Sequence, residues 1–333
     1  MQLRYRKREH KGIEAYELEN ASYLAVDAQR HRLYAVSETE VYEGKYGGSA
    51  AAYTIDKESG KLDKLNQQPT HGAAPCYISS DATGQSVYVA NYLAGNVTVF
   101  PVTTDGSLGK HSQLIQHQGT LGPNAARQEH AHAHSIVPDP RNRFAVSADL
   151  GLDRLLVSII DEAAHKLTPH EETAMAPGAG PRHVVFTADS RFAYAVNELG
   201  STVTVLAYNA EAGVLTPLQN VSTLPADYSG SNICADIHLS PDGRYVYASN
   251  RGHDSIAVYA VDEQRGTLSL EQLQETHGHT PRNFALSPQG DFLLAANQDS
   301  DTIVVFRINK VLGLLTEAGQ TLQVPKPVCI KFL

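Results

Sequence analysis

The sequence predicts an all-β protein, a seven-bladed β-propeller, and three observations carry that prediction. A short apolar strand opens after a turn seven times, at Ala21, Pro75, Ala131, Pro181, Cys234, Pro281 and Pro327. Neighbouring openings lie 46 to 56 residues apart, a spacing that marks propeller blades when only strand signals fill it. No stretch sustains a helical period of 3.6 residues.

The unit from Pro181 to Asn220 shows the elements in order. Residues 182–187 (RHVVFT) read as a strand because β-branched and aromatic residues dominate them. Ala188-Asp189-Ser190 forms a tight turn, and residues 192–197 (FAYAVN) return as a second strand. Leu199-Gly200-Ser201 turns into residues 202–208 (TVTVLAY). Gly213-Val214-Leu215 then opens a polar outer strand, LTPLQN. The same Gly-x-Leu starts at Gly60, Gly106, Gly266 and Gly313. Glycine accepts the positive φ of such a turn, and the leucine after it drops back onto the blade.

The two chain ends are expected to share one blade. Residues 328–333 (VCIKFL) supply only an inner strand, so residues 3–7 and 12–18 are expected to complete it. Closure of this kind removes the sheet edges that invite aggregation. The stretch before Ala21 is too short for three strands, so the closing blade is expected to lack its outer strand. Residues 1–333 read as a single domain, since no Pro/Ser-rich linker interrupts them.

Composition excludes several partners. The net charge of −9 argues against a nucleic-acid surface. No apolar segment is long enough to span a bilayer, and residues 1–12 lack the apolar core of a signal peptide. The three cysteines, Cys76, Cys234 and Cys329, are odd in number and far apart. They are expected to be reduced thiols in a cytoplasmic protein.

The start of the first strand and the end of the second meet at the propeller mouth. At the end of the second strand one column reads Ser37, Asn91, Ala148, Asn197, Asn250, Asn297, and its asparagines suit a repeated turn tie. The next column, Glu38, Tyr92, Asp149, Glu198, Arg251, Gln298, keeps no rule. At the start of the first strand, Ser22, Cys76, His132, Arg182, Ala235, Arg282 and Val328 align, followed by His183, Asp236 and Asn283. Four consecutive blades thus bring His132, Asp149, Arg182, His183, Glu198, Asp236, Arg251 and Arg282 to one rim. Solvated surface charges would scatter over all seven blades, so the clustering marks a site.

The histidines admit a second reading. His130, His132 and His134 alternate, as ligands on one strand face would. The repeat sets His134 in the column of Leu24, Ile78 and Val184, which is a core position, so no metal is expected. No dense carboxylate loop suits calcium. Gly-x-Ser-x-Gly, a Walker loop and a dinucleotide fingerprint are all absent. General acid–base and electrostatic chemistry without a cofactor remain.

Several segments resemble one family. They are Gly122-Pro123-Asn124 with Arg127-Gln128-Glu129, His132-Ala133-His134-Ser135, Asp149-Leu150-Gly151-x-Asp153-Arg154, Gly180-Pro181-Arg182-His183, Asn197-Glu198-Leu199, Ser249-Asn250-Arg251-Gly252 and Pro281-Arg282. In this order they resemble the lactonase seven-bladed propeller family, which includes 6-phosphogluconolactonases and is related to carboxymuconate-lactonising propellers. WD40 propellers fit less well, since the chain has no tryptophan. The resemblance implies hydrolysis of 6-phosphoglucono-1,5-lactone, a small anionic sugar lactone of the pentose phosphate pathway, without a metal. It also implies catalytic positions at His132, Arg182, Glu198 and Arg251. Asp149, His183, Asp236, Asn250 and Arg282 are expected to bind substrate. Ala131 stands where the family has a proline. Glu198 or His132 is expected to activate water, with Arg182 on the oxyanion and Arg251 and Arg282 on the anionic group. A lactonising enzyme for another small anion and a protein-binding platform are the competing readings.

Overall fold

The computed structural model describes residues 14–333. Six four-stranded antiparallel sheets follow one another among these residues, each a blade. Their innermost strands are Ala21–Asp27, Pro75–Ser80, Ala133–Pro138, Pro181–Phe186, Ile233–Leu239 and Pro281–Leu286. Innermost strands of consecutive blades pack side by side, from the first blade to the sixth. Second strands such as Ser86–Asn91, Phe144–Asp149 and Phe192–Asn197 are buried throughout. They sit between neighbouring sheets, which explains their unbroken apolar sequence. Outer strands such as Lys166–Ala174 are mostly exposed. The Gly-x-Leu turns behave as the sequence predicts: Gly213 has φ +66°, and Leu215 is buried in the core shared by blades three and four.

The ring closes through the C-terminal segment. Cys329 packs on the core of the first two blades, while Ile330 and Phe332 pack on that of the sixth. The Ile330 N–H donates to Asn283 Oδ1 at 2.7 Å, and Lys331 Nζ lies 4.7 Å from the Tyr23 ring centre. Residues 328–333 thus lie between blades six and one, although no strand is assigned to them. Of the N-terminal strands predicted for this blade, residues 3–7 and the start of 12–18 lie outside the described residues. A hairpin that the sequence reading did not anticipate, Val41–Tyr42 with Lys45–Tyr46, leaves the first blade.

Strand register corrects one blade. In all six sheets the pairing of the first and second strands slips at the same point, a β-bulge. The residue after the second strand bonds back to the residue before the opening: Tyr92 N–H to Ala74 O, Glu198 N–H to Gly180 O, Leu150 N–H to His132 O. His132 therefore precedes its strand, and the third blade opens at Ala133 rather than Ala131. The bulged column becomes Ser22, Cys76, His134, Arg182, Ala235, Arg282. Asp149 pairs with Ala133 as Asn197 pairs with Pro181, so it fills the asparagine column. A long connection, residues 117–132, displaces the sequence of this blade against the others.

Candidate active site at the propeller mouth

Glu198 is the centre of the site. It follows the second strand of blade four and is 2% exposed. Arg182 Nε, from the bulge of the same blade, donates to Glu198 Oε2 at 3.0 Å. Arg251, from blade five, donates to the same oxygen at 2.8 Å. Arg127, from the 117–132 connection, donates to Oε1 at 2.5 Å. His134 Nε2 lies 3.7 Å from Oε2. Burial by itself would raise the Glu198 pKa, but Arg251, Arg182 and the other donors outweigh it and hold the carboxyl well below its usual range. Glu198 is ionised at physiological pH.

The arginines are fixed by further bonds. Arg182 also donates to Ala235 O and, at 3.1 Å, to His183 Nε2. A guanidinium only donates, so His183 Nε2 accepts and its Nδ1–H donates to Asp236 Oδ1 at 2.8 Å. Burial, reinforced by Arg182, lowers the His183 pKa to about 4, so the ring is neutral at physiological pH. Asp236 also accepts from His238 and Asn283. Burial would raise its pKa, yet His238 and His183 hold it well below the ordinary value. Arg251 donates to Cys234 O at 2.7 Å, while its buried Nε has no partner. Burial lowers its pKa to about 10, with Arg182 and Arg282 adding to the effect. Burial and Arg182 likewise push His134 well below its ordinary value, so it is neutral.

The structure brings together Arg182, Glu198 and Arg251, with His183 and Asp236 behind them. Arg282 stands at the edge, 26% exposed, with its guanidinium 4.0 Å from Glu38. Three expected positions lie apart from Glu198 or have their polar atoms engaged elsewhere. His132 stays outside the cluster: its ring stacks on Tyr92 at 4.3 Å, and Nδ1–H donates to Tyr92 O at 3.1 Å. His134 takes its place beside Glu198. Asp149 spends one oxygen on His117 and the other on the N–H groups of His132 and Leu152. Asn250 spends its amide on Thr223 O and Ser255, and its carbonyl accepts from Thr223 and Asn232. Both tie turns through these bonds.

Arg127 and Tyr92 are additions. Arg127 donates to Tyr92 Oη at 3.3 Å as well as to Glu198. Arg127 lies in a segment that carries the family resemblance, but it falls in no repeat column. Arg127, Arg182, Arg251 and Arg282 face Glu198 and Glu38, an excess of two positive charges. Such a mouth suits an anion, and its preorganised donors suit charge that develops on oxygen.

The fold and the site define a lactonase-type propeller with an arginine-ringed carboxylate at its mouth. The sequence profile of the family described as "Lactonase, 7-bladed beta-propeller" matches residues 5–332. The chain belongs to that family. It is 40% identical over 319 residues to the 6-phosphogluconolactonase of Bacillus subtilis, covering 96% of this chain and 89% of that one. A 6-phosphogluconolactonase of Formosa agariphila is 33% identical over 80% of this chain and 75% of its own. The solved structure of the Pseudomonas aeruginosa periplasmic gluconolactonase superposes with a TM-score of 0.88 at 35% identity, covering 95% and 89% of the two chains. No helix among the described residues is long and apolar enough to cross a membrane.

Proposed function

We propose that this chain hydrolyses 6-phosphoglucono-1,5-lactone to 6-phosphogluconate in the cytoplasm. The observation that carries the reading is the buried Glu198 held by three arginines beside the neutral His134.

The chemistry follows from protonation states. Water adds to the lactone carbonyl and gives a proton to His134 Nε2. The imidazolium that forms lies against the Glu198 anion. Negative charge developing on the carbonyl oxygen meets Arg182 and the unpartnered Nε–H of Arg251. Collapse of the tetrahedral intermediate breaks the ring C–O bond, and the leaving alkoxide takes the proton back from His134. Arg282 and Arg127, the more exposed cations, suit the phosphate. Glu198 is too weak a base to lead, because its lone pairs already serve three guanidinium groups.

The test is a hydrolysis assay on fresh 6-phosphogluconolactone, corrected for the spontaneous reaction. Arg182→Ala should lose about 10²- to 10³-fold in kcat, and His134→Gln about 10²- to 10⁴-fold, while His132→Gln stays within a few-fold. Full turnover by Arg182→Ala would defeat the oxyanion role. A wild-type rate no faster than the spontaneous one, on this lactone and on its unphosphorylated form, would defeat the reading as a whole.

A further inference from the structure

The geometry points to a divalent transition-metal site at the rim, built by Glu129, His130 and His132 and separate from the arginine cluster. The alternating set His130, His132 and His134 does not assemble, because the strand begins only at Ala133 and His134 faces Glu198. Glu129 takes the third place instead, and the three ligand atoms lie within 4.8 Å of one another. Glu129 Oε1 is 3.2 Å from His132 Nε2 and 3.5 Å from His130 Nε2. A tetrahedral ion with bonds of about 2.0–2.1 Å separates its ligand atoms by about 3.3 Å. Both distances match such an edge.

Tautomers supply an independent argument. His130 Nδ1 faces Ala131 O at 2.8 Å, and His132 Nδ1 faces Tyr92 O at 3.1 Å. A carbonyl only accepts, so both Nδ1 atoms carry hydrogen. The two Nε2 atoms then converge on one carboxylate oxygen, the arrangement that imidazole and carboxylate ligands of a single ion take. Anchoring the far nitrogen on a carbonyl is how proteins orient metal-binding imidazoles. Two nitrogens and one oxygen exclude calcium and magnesium and suit zinc or its neighbours. The His130 ring lies tilted 4.1 Å from that of His132, which itself stacks on Tyr92. Glu129 and His130 also line a groove of about 520 Å³ with Tyr46 and Leu121, so the ion would be reachable from solvent. An ion here would pin the 117–132 connection, which delivers Arg127 to Glu198.

The test is titration of the metal-stripped chain with Zn²⁺ by calorimetry and with Co²⁺ by visible absorbance. One ion per chain should bind with Kd of about 10 µM or tighter, with the absorbance of four-coordinate Co²⁺. His130→Ala and Glu129→Gln should each weaken binding at least tenfold. Both side chains are nearly half exposed, so neither change should disturb the fold. His279→Ala, which removes an exposed histidine paired with Asp254, should leave binding unchanged. No saturable binding at about 100 µM metal, or binding that survives both substitutions, would overturn the assignment and leave protonated His–Glu129 ion pairs in its place.

Discussion

Glu198→Gln separates a structural counter-ion from a base. The substitution keeps the side chain's shape and removes its charge. It also replaces an acceptor with an NH₂ group that must face a guanidinium. Arg182 retains Ala235 O and His183, and Arg251 retains Cys234 O, but neither keeps a counter-charge. Removing one partner of a buried ion pair costs about 3–5 kcal/mol. For 333 residues the unfolding entropy is about 0.7 kcal/mol/K, so Tm should fall by about 4–7 °C. Glu198 titrates far below pH 4.5, and its contribution is lost only as pH falls through that low folded value, so the deficit should be constant above about pH 5. Thermal and urea denaturation by circular dichroism, with and without 6-phosphogluconate, would measure it. The anion should stabilise the variant more than the wild type, because it supplies the missing charge; a ligand at 100 times its Kd contributes about 2.7 kcal/mol. A loss below about 1 kcal/mol, or equal stabilisation of both proteins, would refute the clamp.

Three further outcomes follow from charge and burial. Arg282→Ala should raise KM about tenfold on the phosphorylated lactone with kcat nearly unchanged, since one charge-assisted bond is worth about 1.5–3 kcal/mol gross; an equal effect on the unphosphorylated lactone would contradict a phosphate contact. Arg251 is nearly buried and paired with Glu198, and its guanidinium stays charged across the working pH range. Arg251→Gln should therefore weaken product binding by calorimetry about tenfold or more, and unchanged binding would argue against its role. His183 is neutral in the fold, with its pKa lowered from 6.5 to about 4. Its contribution is complete above 6.5 and is lost as pH falls towards 4, about 3 kcal/mol in all; a urea midpoint unchanged between pH 7 and 4.5 would count against this.

Blade strands were legible because their burial on both faces writes long apolar runs such as FAYAVN and SVYVAN. The meeting of Arg182, Glu198 and Arg251 was legible for a related reason. Repeat columns mark equivalent places in space, so irregular charges in one column must converge. The third blade escaped this logic. The connection before it is long, and a bulge leaves no mark in composition, so His132 was read where His134 stands. Arg127 belongs to no column and could not be found by comparing columns. Asp149 and Asn250 show a different limit. Whether a polar atom is free for a ligand depends on its neighbours in three dimensions, and His117, Thr223 and Asn232 are far from them in sequence.

The bulge itself explains why the chemistry gathers in this mouth. A bulge leaves one residue of the strand unpaired and turns its side chain out of the regular alternation. Here it recurs at the same point in six sheets, so it belongs to the blade design rather than to any one residue's role. What varies is the side chain placed on it: Ser22, Cys76, His134, Arg182, Ala235, Arg282. Small residues flank the large functional ones. Cys76 leaves His134 room, with its Sγ 3.6 Å from the ring, and Ala235 lets Arg182 reach its carbonyl oxygen. A larger residue at either small position would push the imidazole or the guanidinium off Glu198. The glutamate can hold several cations only because neighbouring blades decline to crowd it, and that is a property of the ring rather than of any single motif.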